Sequence, residues 1–153
     1  MEKAEKNIYP GKGLGDVKFG MTPEQVDAIL GKPSEIETGD FGVPNEEAED
    51  FFITWHYDED EISMEFEKID EVFRLVILSV TSEEFIYNGK TLIGKTWTDL
   101  KPHLSDLHLT KDESEEDNSF VLFSDLLNIS FWFEGDTLTE VQWTQVLSEI
   151  EMN

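Results

Sequence analysis

The chain of 153 residues carries 35 acidic and 11 basic side chains, and the resulting net charge of −24 disfavours nucleic acid or anionic lipid as a partner. A hydrophobic content of 39% is sufficient for a packed interior, and no run of about 18 apolar residues exists that could span a membrane. The chain contains no cysteine, which excludes disulfides and thiol nucleophiles and fits a reducing, cytoplasmic location.

A short helix is predicted to begin after Thr22. Thr22 is a suitable N-terminal cap, Pro23 suits the first helical position, and Gln25 completes a capping box. Gly31 is expected to cap the C-terminus, and Pro33 cannot continue the helix. We expect a polar loop of about seventeen residues to follow.

The second half of the chain is predicted to contain another short helix and a second series of strands. Thr96 is placed to cap this helix, which carries Leu100 and Leu104. Since no helix interrupts either series, the sheet should be antiparallel. The predicted strands are Phe51–Tyr57, Ile62–Lys68, Phe73–Thr81, Phe120–Ser124, Leu127–Glu134 and Leu138–Thr144.

Similar segments recur in the same order in both halves, which indicates an internal duplication. We therefore predict a first α+β repeat in residues 1–84 and a second in residues 85–153, within a single compact domain. The predicted fold class is α+β: two tandem helix-plus-antiparallel-strands repeats forming one curved sheet, with short helices on one face. The matching pairs are Ile8–Lys12 with Ile86–Lys90, Phe19–Thr22 with Ile93–Thr96, and Ile62–Glu67 with Ile129–Glu134.

The segment GKTLIGKT, residues 89–96, fits the pattern of a phosphate-binding loop. Its counterpart in the first half has Met21 in place of Lys95, and Pro102 interrupts the helix that follows. A nucleotide site needs a long helix whose N-terminal amides face the phosphates, within a mostly parallel sheet. We therefore predict that the chain binds no nucleotide.

Residues that could form a catalytic or metal site are sparse. His103 and His108 are five residues apart and would not share one helix face, and His56 is placed in a strand. We predict no metal, no cofactor, no catalytic residues and no enzymatic activity. A small enzyme that uses a pair of carboxylates stays open as an alternative.

Alternation along the strands predicts one apolar face and one polar face. Ile129, Phe131 and Phe133 lie on the core face, whereas Trp132 falls on the polar one. An indole among carboxylates is typical of an interface anchor, although packing against a loop or the tail would also explain it. The predicted partner-binding residues are Thr54, His56, Asp58, Glu59, Asp60, Glu65, Glu67, Ser130, Trp132, Glu134, Glu140 and Gln142.

The acidic residues cluster in predicted turns, loops and termini, which favours a role in contact with a partner. Solubility or adaptation to salt is a second explanation of the same charge. The clusters are Asn45–Asp50, Asp58–Glu61, Lys111–Asn118 and the tail around Glu149 and Glu151.

Two features of the chain resemble known groups. The run from Gly20 to Pro33 (GMTPEQVDAILGKP) resembles the opening motif of the SmpA/OmlA family of small outer-membrane lipoproteins. The duplicated plan resembles the β-lactamase inhibitor protein (BLIP) fold, in which tandem copies form one curved sheet with helices behind it. The resemblance to BLIP implies an antiparallel sheet whose concave face binds another protein.

Charge and resemblance together predict an acidic, protein-binding inhibitor. The most specific form of this prediction is a bacterial immunity protein, or antitoxin, that occludes the active site of a basic toxin such as a nuclease effector. The alternative is a ligand-binding or envelope-associated module of the same fold with no toxin partner.

Overall fold

The computed structural model describes residues 6–39, 52–111 and 119–145. Helix α1 spans Pro23–Leu30, and both hydrogen bonds of the predicted capping box between Thr22 and Gln25 are present. Gly31 ends the helix with a φ of 85°, a conformation that glycine adopts with little strain. These local predictions are confirmed.

The second helix, α2, spans only Trp97–Leu100. The hydroxyl of Thr96 accepts a hydrogen bond from the backbone amide of Asp99, as expected of a cap. Two single turns of 3-10 helix follow, and Pro102 lies in the first of them. Neither described helix is long and apolar enough to cross a membrane.

Most of the described chain is strand. Eight strands form one sheet in which every pairing is antiparallel, in the order β10-β11-β12-β13-β7-β6-β5-β4. Two smaller sheets, β1-β2-β3 and β8-β9, precede the two helices. The strands are β1 (Ile8–Tyr9), β2 (Gly13–Leu14), β3 (Val17–Lys18), β4 (Glu35–Gly39), β5 (Phe52–Tyr57), β6 (Ile62–Ile69), β7 (Val72–Val80), β8 (Ile86–Tyr87), β9 (Lys90–Thr91), β10 (Thr110–Lys111), β11 (Ser119–Ser124), β12 (Ile129–Glu134) and β13 (Thr137–Thr144).

The large sheet consists of two four-stranded meanders, β4–β7 and β10–β13, joined through β7 and β13. These two strands pair along only four positions, from Ile77 to Val80 on β7. Beyond that stretch, Leu75 of β7 exchanges backbone hydrogen bonds with Gly20 and Met21, which precede α1. Leu138 of β13 exchanges backbone hydrogen bonds with Gly94 and Lys95, which precede α2. The segments before the helices therefore complete the sheet where the two meanders diverge.

The predicted fold class, a BLIP-like α+β fold of two helix-plus-strand repeats forming one curved sheet, is wrong. The protein is mostly β, with 52% strand and 15% helix among the described residues. The helices contribute little because α2 ends after four residues at the turn that contains Pro102. Part of the predicted polar loop after Pro33 also forms β4, which pairs with β5. The division at residues 84 and 85 stays a prediction.

The core lies on one face of the large sheet and includes the alternating residues that the sequence predicted. Ile62, Met64 and Phe66 of β6 are at most 2% exposed, and Ile129, Phe131 and Phe133 of β12 are at most 1% exposed. Val26 of α1 and Leu100, Leu104 and Leu107 near α2 belong to the same buried cluster. Hydrophobic burial on this face therefore fixes which residues of each strand point away from the core.

Candidate functional site

The face of the eight-stranded sheet opposite the core, hereafter the outer face, carries the side chains that alternate with the buried residues. Its middle is a central row, in which the register aligns one residue from each of the eight strands. Most members are polar, and none is an exposed large hydrophobic residue. From β4 to β10 the central row is Glu35, His56, Ser63, Ser79, Gln142, Ser130, Phe123 and Thr110.

A second row of side chains, hereafter the indole row, lies beside the central row. It is on the side where β5 ends, β6 begins and β7 ends. Trp132 of β12 lies opposite Glu140 of β13 and Val121 of β11. Since Val141 pairs with Val80, Glu140 also lies opposite Thr81. In order across the sheet, the indole row is Asp58, Glu61, Thr81, Glu140, Trp132 and Val121.

Two hydroxyls of β7 and its C-terminal extension hold carboxylates of the indole row. Ser79 Oγ donates to Glu140 Oε2 over 2.5 Å, and Thr81 Oγ1 donates to Glu61 Oε1 over 3.1 Å. The bond from Ser79 to Glu140 is short and partly buried, whereas the bond from Thr81 to Glu61 is longer and exposed. The Glu140 carboxylate is therefore the more firmly oriented of the two.

A depression of about 190 Å³ opens between the central row and the indole row at the β5–β6 turn. Tyr57 contributes to its lining, but the Tyr57 side chain lies in the core, where its hydroxyl donates to the carbonyl of Gly31 at the end of α1 over 2.7 Å. Burial, aided by the charges of Asp27 and Asp60, raises the pKa of Tyr57, so the hydroxyl stays a donor. The lining residues are Tyr57, Asp58, Glu61, Ile62, Ser63, Ser79 and Thr81.

A corresponding depression of about 240 Å³ lies at the β11–β12 turn of the other meander. Its lining contains a single carboxylate, that of Asp125. The position that corresponds to Glu61 in the first turn is occupied here by Asn128. The first depression is therefore the more favourable one for a cationic group. The residues lining the second are Phe123, Ser124, Asp125, Asn128, Ile129, Ser130 and Thr144.

On the opposite side of the central row, β5 and β6 carry further acidic and polar side chains. Burial, together with the charge of Glu67 and a hydrogen bond to it, raises the pKa of Glu65. The His56 ring contacts Ser63 Oγ over 2.9 Å through Nδ1 and Glu37 Oε1 over 3.3 Å through Nε2. This end of the outer face thus carries two hydrogen-bonded groups: His56 with Ser63 and Glu37, and Glu65 with Glu67.

The structure distributes the predicted binding residues over three parts of the outer face and leaves some apart. Glu134 is exposed at the end of β12, Glu59 is exposed in the β5–β6 turn, and Asp60 is half-buried in the same turn. The clusters Asn45–Asp50, residues 112–118, Glu149 and Glu151 lie outside the described residues. The indole row contains Asp58, Glu140 and Trp132, and the central row contains His56, Gln142 and Ser130. Thr54, Glu65 and Glu67 lie on the side of the central row opposite the indole row.

Sequence reasoning missed Glu61, Ser79 and Thr81 as site residues. The signal was present, because Ser79 and Thr81 alternate with the buried residues Leu78 and Val80 in an otherwise apolar run. Their position beside Glu140 depends on the pairing of β7 with β13, which no local pattern indicates.

The indole of Trp132 is 42% exposed. Within the described part of the chain it is not buried beneath a loop. Its neighbour across the ladder on β11 is Val121, and Phe123 is two residues further along the same face. The outer face is therefore acidic towards β5 and β6 and more apolar towards β11 and β12.

The segment GKTLIGKT forms a tight hairpin followed by a turn. Asn88 and Gly89, with φ values of 54° and 83°, connect β8 and β9, as suits a two-residue hairpin turn. Lys95 Nζ donates to Thr91 Oγ1 over 2.8 Å. The helix that follows has only four residues, so it lacks the long N-terminal amide array of a phosphate site. The predicted absence of nucleotide binding stays a prediction.

Among the described residues, no group of three or more His, Asp or Glu side chains could hold a metal ion. The arrangement is instead that of a surface with carboxylates and the exposed indole of Trp132. Such a surface can bind cations and apolar groups of another macromolecule.

Comparison with known proteins gives one point of reference for the fold. No family model matches the chain, and no curated protein matches it. A solved structure of an extracellular protein containing an SCP domain, from Bacillus anthracis str. Ames, is similar with a TM-score of 0.52 at 16% sequence identity. The match covers 95% of this chain and 49% of that chain, so the present chain spans about half the length of the matched protein. At this identity the similarity shows the fold alone. Apart from the helix-plus-strand fold class corrected above, the resemblances to the SmpA/OmlA motif and to BLIP stay predictions.

Proposed function

We propose that the protein is an acidic protein-binding inhibitor whose outer face takes a basic protein partner. The observation that carries the proposal is the indole row, in which exposed Trp132 lies directly opposite Glu140, a carboxylate held by Ser79. In the most specific form, the partner is a basic toxin such as a nuclease effector, and the protein acts as its immunity protein by occluding the active site.

Charge and the indole would contribute to binding in different ways. A net charge of −24 attracts a cationic partner over long distances and accelerates association at low salt. A large aromatic side chain that becomes buried at an interface slows dissociation, and truncation of such a residue costs about 2 kcal/mol or more of binding free energy. The two contributions are separable by salt and by mutation.

A second candidate function follows from the structural match. The matched protein is extracellular and contains an SCP domain, and the chain aligns with about half of it. On this alternative the chain is a module of an exported or envelope-associated protein, and its location is outside the cytoplasm. Fractionation of cells expressing the native gene separates the two locations.

Two charge-matched double variants test the binding face. Glu61→Gln with Glu140→Gln removes two charges from the outer face, whereas Asp16→Asn with Glu24→Gln removes two exposed charges away from it. Partners captured from lysate at low salt are identified and then titrated against all three proteins. We expect the outer-face variant to bind at least about tenfold more weakly and the control to bind like the parent protein at physiological salt.

Equal weakening by both variants would mean that binding follows net charge alone, and the proposed binding face would be wrong. The inhibitor role is tested by co-expression with the captured partner. If that partner is toxic, the parent protein should restore growth and the outer-face variant should not. Failure of the parent protein to restore growth would refute the immunity function.

A further inference from the structure

The indole row runs across the strands, so its spacing is set by the distance between neighbouring strands. Glu61, just before β6, lies three strands away from Trp132 on β12, with Thr81 and Glu140 between them. Neighbouring strands are about 4.8 Å apart, which places the two side chains about 14 Å apart. The row therefore offers an apolar contact and a carboxylate at a defined separation.

An extended polypeptide has side chains that match this separation. Residues four apart in an extended chain are about 14 Å apart, and they point to the same side because strand side chains alternate. A helix rises about 1.5 Å per residue and needs about nine residues to cover the same distance. An extended segment therefore reaches both ends of the row with fewer residues than a helix.

We propose that the indole row binds an extended basic segment of the partner, with an apolar side chain on Trp132 and a Lys or Arg four residues away on Glu61. This inference rests on the proposed function and specifies the chemistry of its partner. Val121, next to Trp132, extends the apolar contact. Glu140, one strand away from Trp132, accepts a second cation near the middle of the segment. A second copy of this chain is disfavoured as occupant because each copy carries a charge of −24.

The test is a series of synthetic peptides of identical composition, each with one Phe and two Arg in a Gly-Ser background. The spacing between Phe and the distal Arg is three, four or five residues, and each peptide is titrated into the ¹⁵N-labelled chain of 153 residues. We expect the spacing of four to bind about tenfold more tightly than three or five, because odd spacings point the two side chains to opposite sides. The amide shifts should centre on β12, β13 and the end of β7.

Matched variants assign the effect to the indole. Trp132→Ala should abolish the preference for a spacing of four, whereas Ile69→Ala should keep it. Ile69 lies at the end of β6 and is 44% exposed, close to the 42% of Trp132, so both substitutions remove a partly exposed apolar side chain.

Equal affinity of the three peptides would overturn this inference, as would a preference that survives Trp132→Ala. The proposed function has a separate criterion, the selective loss of protein-partner binding in the Glu61→Gln, Glu140→Gln variant. If that loss is observed while peptide spacing has no effect, the basic partner stands and the extended segment is refuted.

Discussion

The Ser79 hydroxyl donates to the Glu140 carboxylate over 2.5 Å and thereby connects β7 of one meander to β13 of the other. Both residues are partly buried on the outer face, where the two meanders share only four register pairs. The hydrogen bond therefore orients a carboxylate of the proposed site and also stabilises the junction of the sheet.

We expect Ser79→Ala to lower the free energy of unfolding by about 1–2 kcal/mol, because the Glu140 carboxylate loses a donor in a partly buried place. Urea denaturation followed by circular dichroism measures the change. Ser130→Ala, in the central row of the other meander, is the control and should change stability by less than about 0.5 kcal/mol. Equal effects of the two substitutions would show that the Ser79 hydrogen bond contributes nothing specific.

Trp143 is fully buried, and its Nε1–H donates to the carbonyl of Gly13 over 3.1 Å. Trp143→Phe should reduce the free energy of unfolding by about 1–3 kcal/mol, because the substitution leaves the Gly13 carbonyl unpaired and a void beside it. Trp132→Phe, at an exposed site, should cost less than about 0.5 kcal/mol. Both values come from urea denaturation; a Trp143→Phe variant as stable as the parent would contradict the contact.

Gly13 of β2 is required because the backbone of β3 at Val17 approaches it closely. A Cβ atom at Gly13 would lie 2.0 Å from the carbonyl oxygen of Val17, so Gly13→Ala needs a backbone shift. We expect a loss of more than about 2 kcal/mol in unfolding free energy. Gly89 has a φ of 83°, and a Cβ atom there would meet nothing within 4 Å, so this position isolates the backbone strain alone. Gly89→Ala should cost about 1 kcal/mol, and a comparable loss at both positions by thermal or urea unfolding would refute the steric explanation.

The Glu65 carboxyl gives the stability a dependence on pH. Its pKa is raised in the folded state, so the folded protein binds this proton more tightly than the unfolded chain. The resulting stabilisation is complete below the unfolded pKa and is lost as the pH rises through the folded pKa. Glu65→Gln should therefore unfold with a higher free energy than the parent at pH 7, by less than about 1 kcal/mol because the site is partly exposed.

The measurement is urea denaturation of both proteins between pH 4 and pH 7, and the advantage of Glu65→Gln should shrink towards the acidic end. Glu134→Gln, which removes an exposed charge at the end of β12, controls for the change in net charge. An advantage of the Glu65 variant that grows on acidification would have the wrong sign and would contradict the raised pKa.

Local features of the fold were predictable because they depend on neighbours in sequence. The capping box of Thr22 and Gln25 closes within four residues, and the alternation from Ile62 to Phe66 follows from the strand period of two. The fold class was wrong because a helical pattern near Leu100 and Leu104 predicts more helix than forms when Pro102 limits α2 to one turn. The strand β4 was missed because its side chains are mostly polar and it is stabilised by pairing with β5.

By itself, the sequence determined the charge, the buried and exposed faces of the central strands, and the placement of Trp132 on the polar face, since each follows from composition or from side-chain alternation. That Trp132 is exposed there, and not covered by a described loop, was decided by the structure. Only the tertiary structure decided that Glu61, Thr81, Glu140 and Trp132 form one row. The physical reason is that this row depends on the pairing of β7 with β13, two strands more than fifty residues apart, whose register is set by burial of the whole core face.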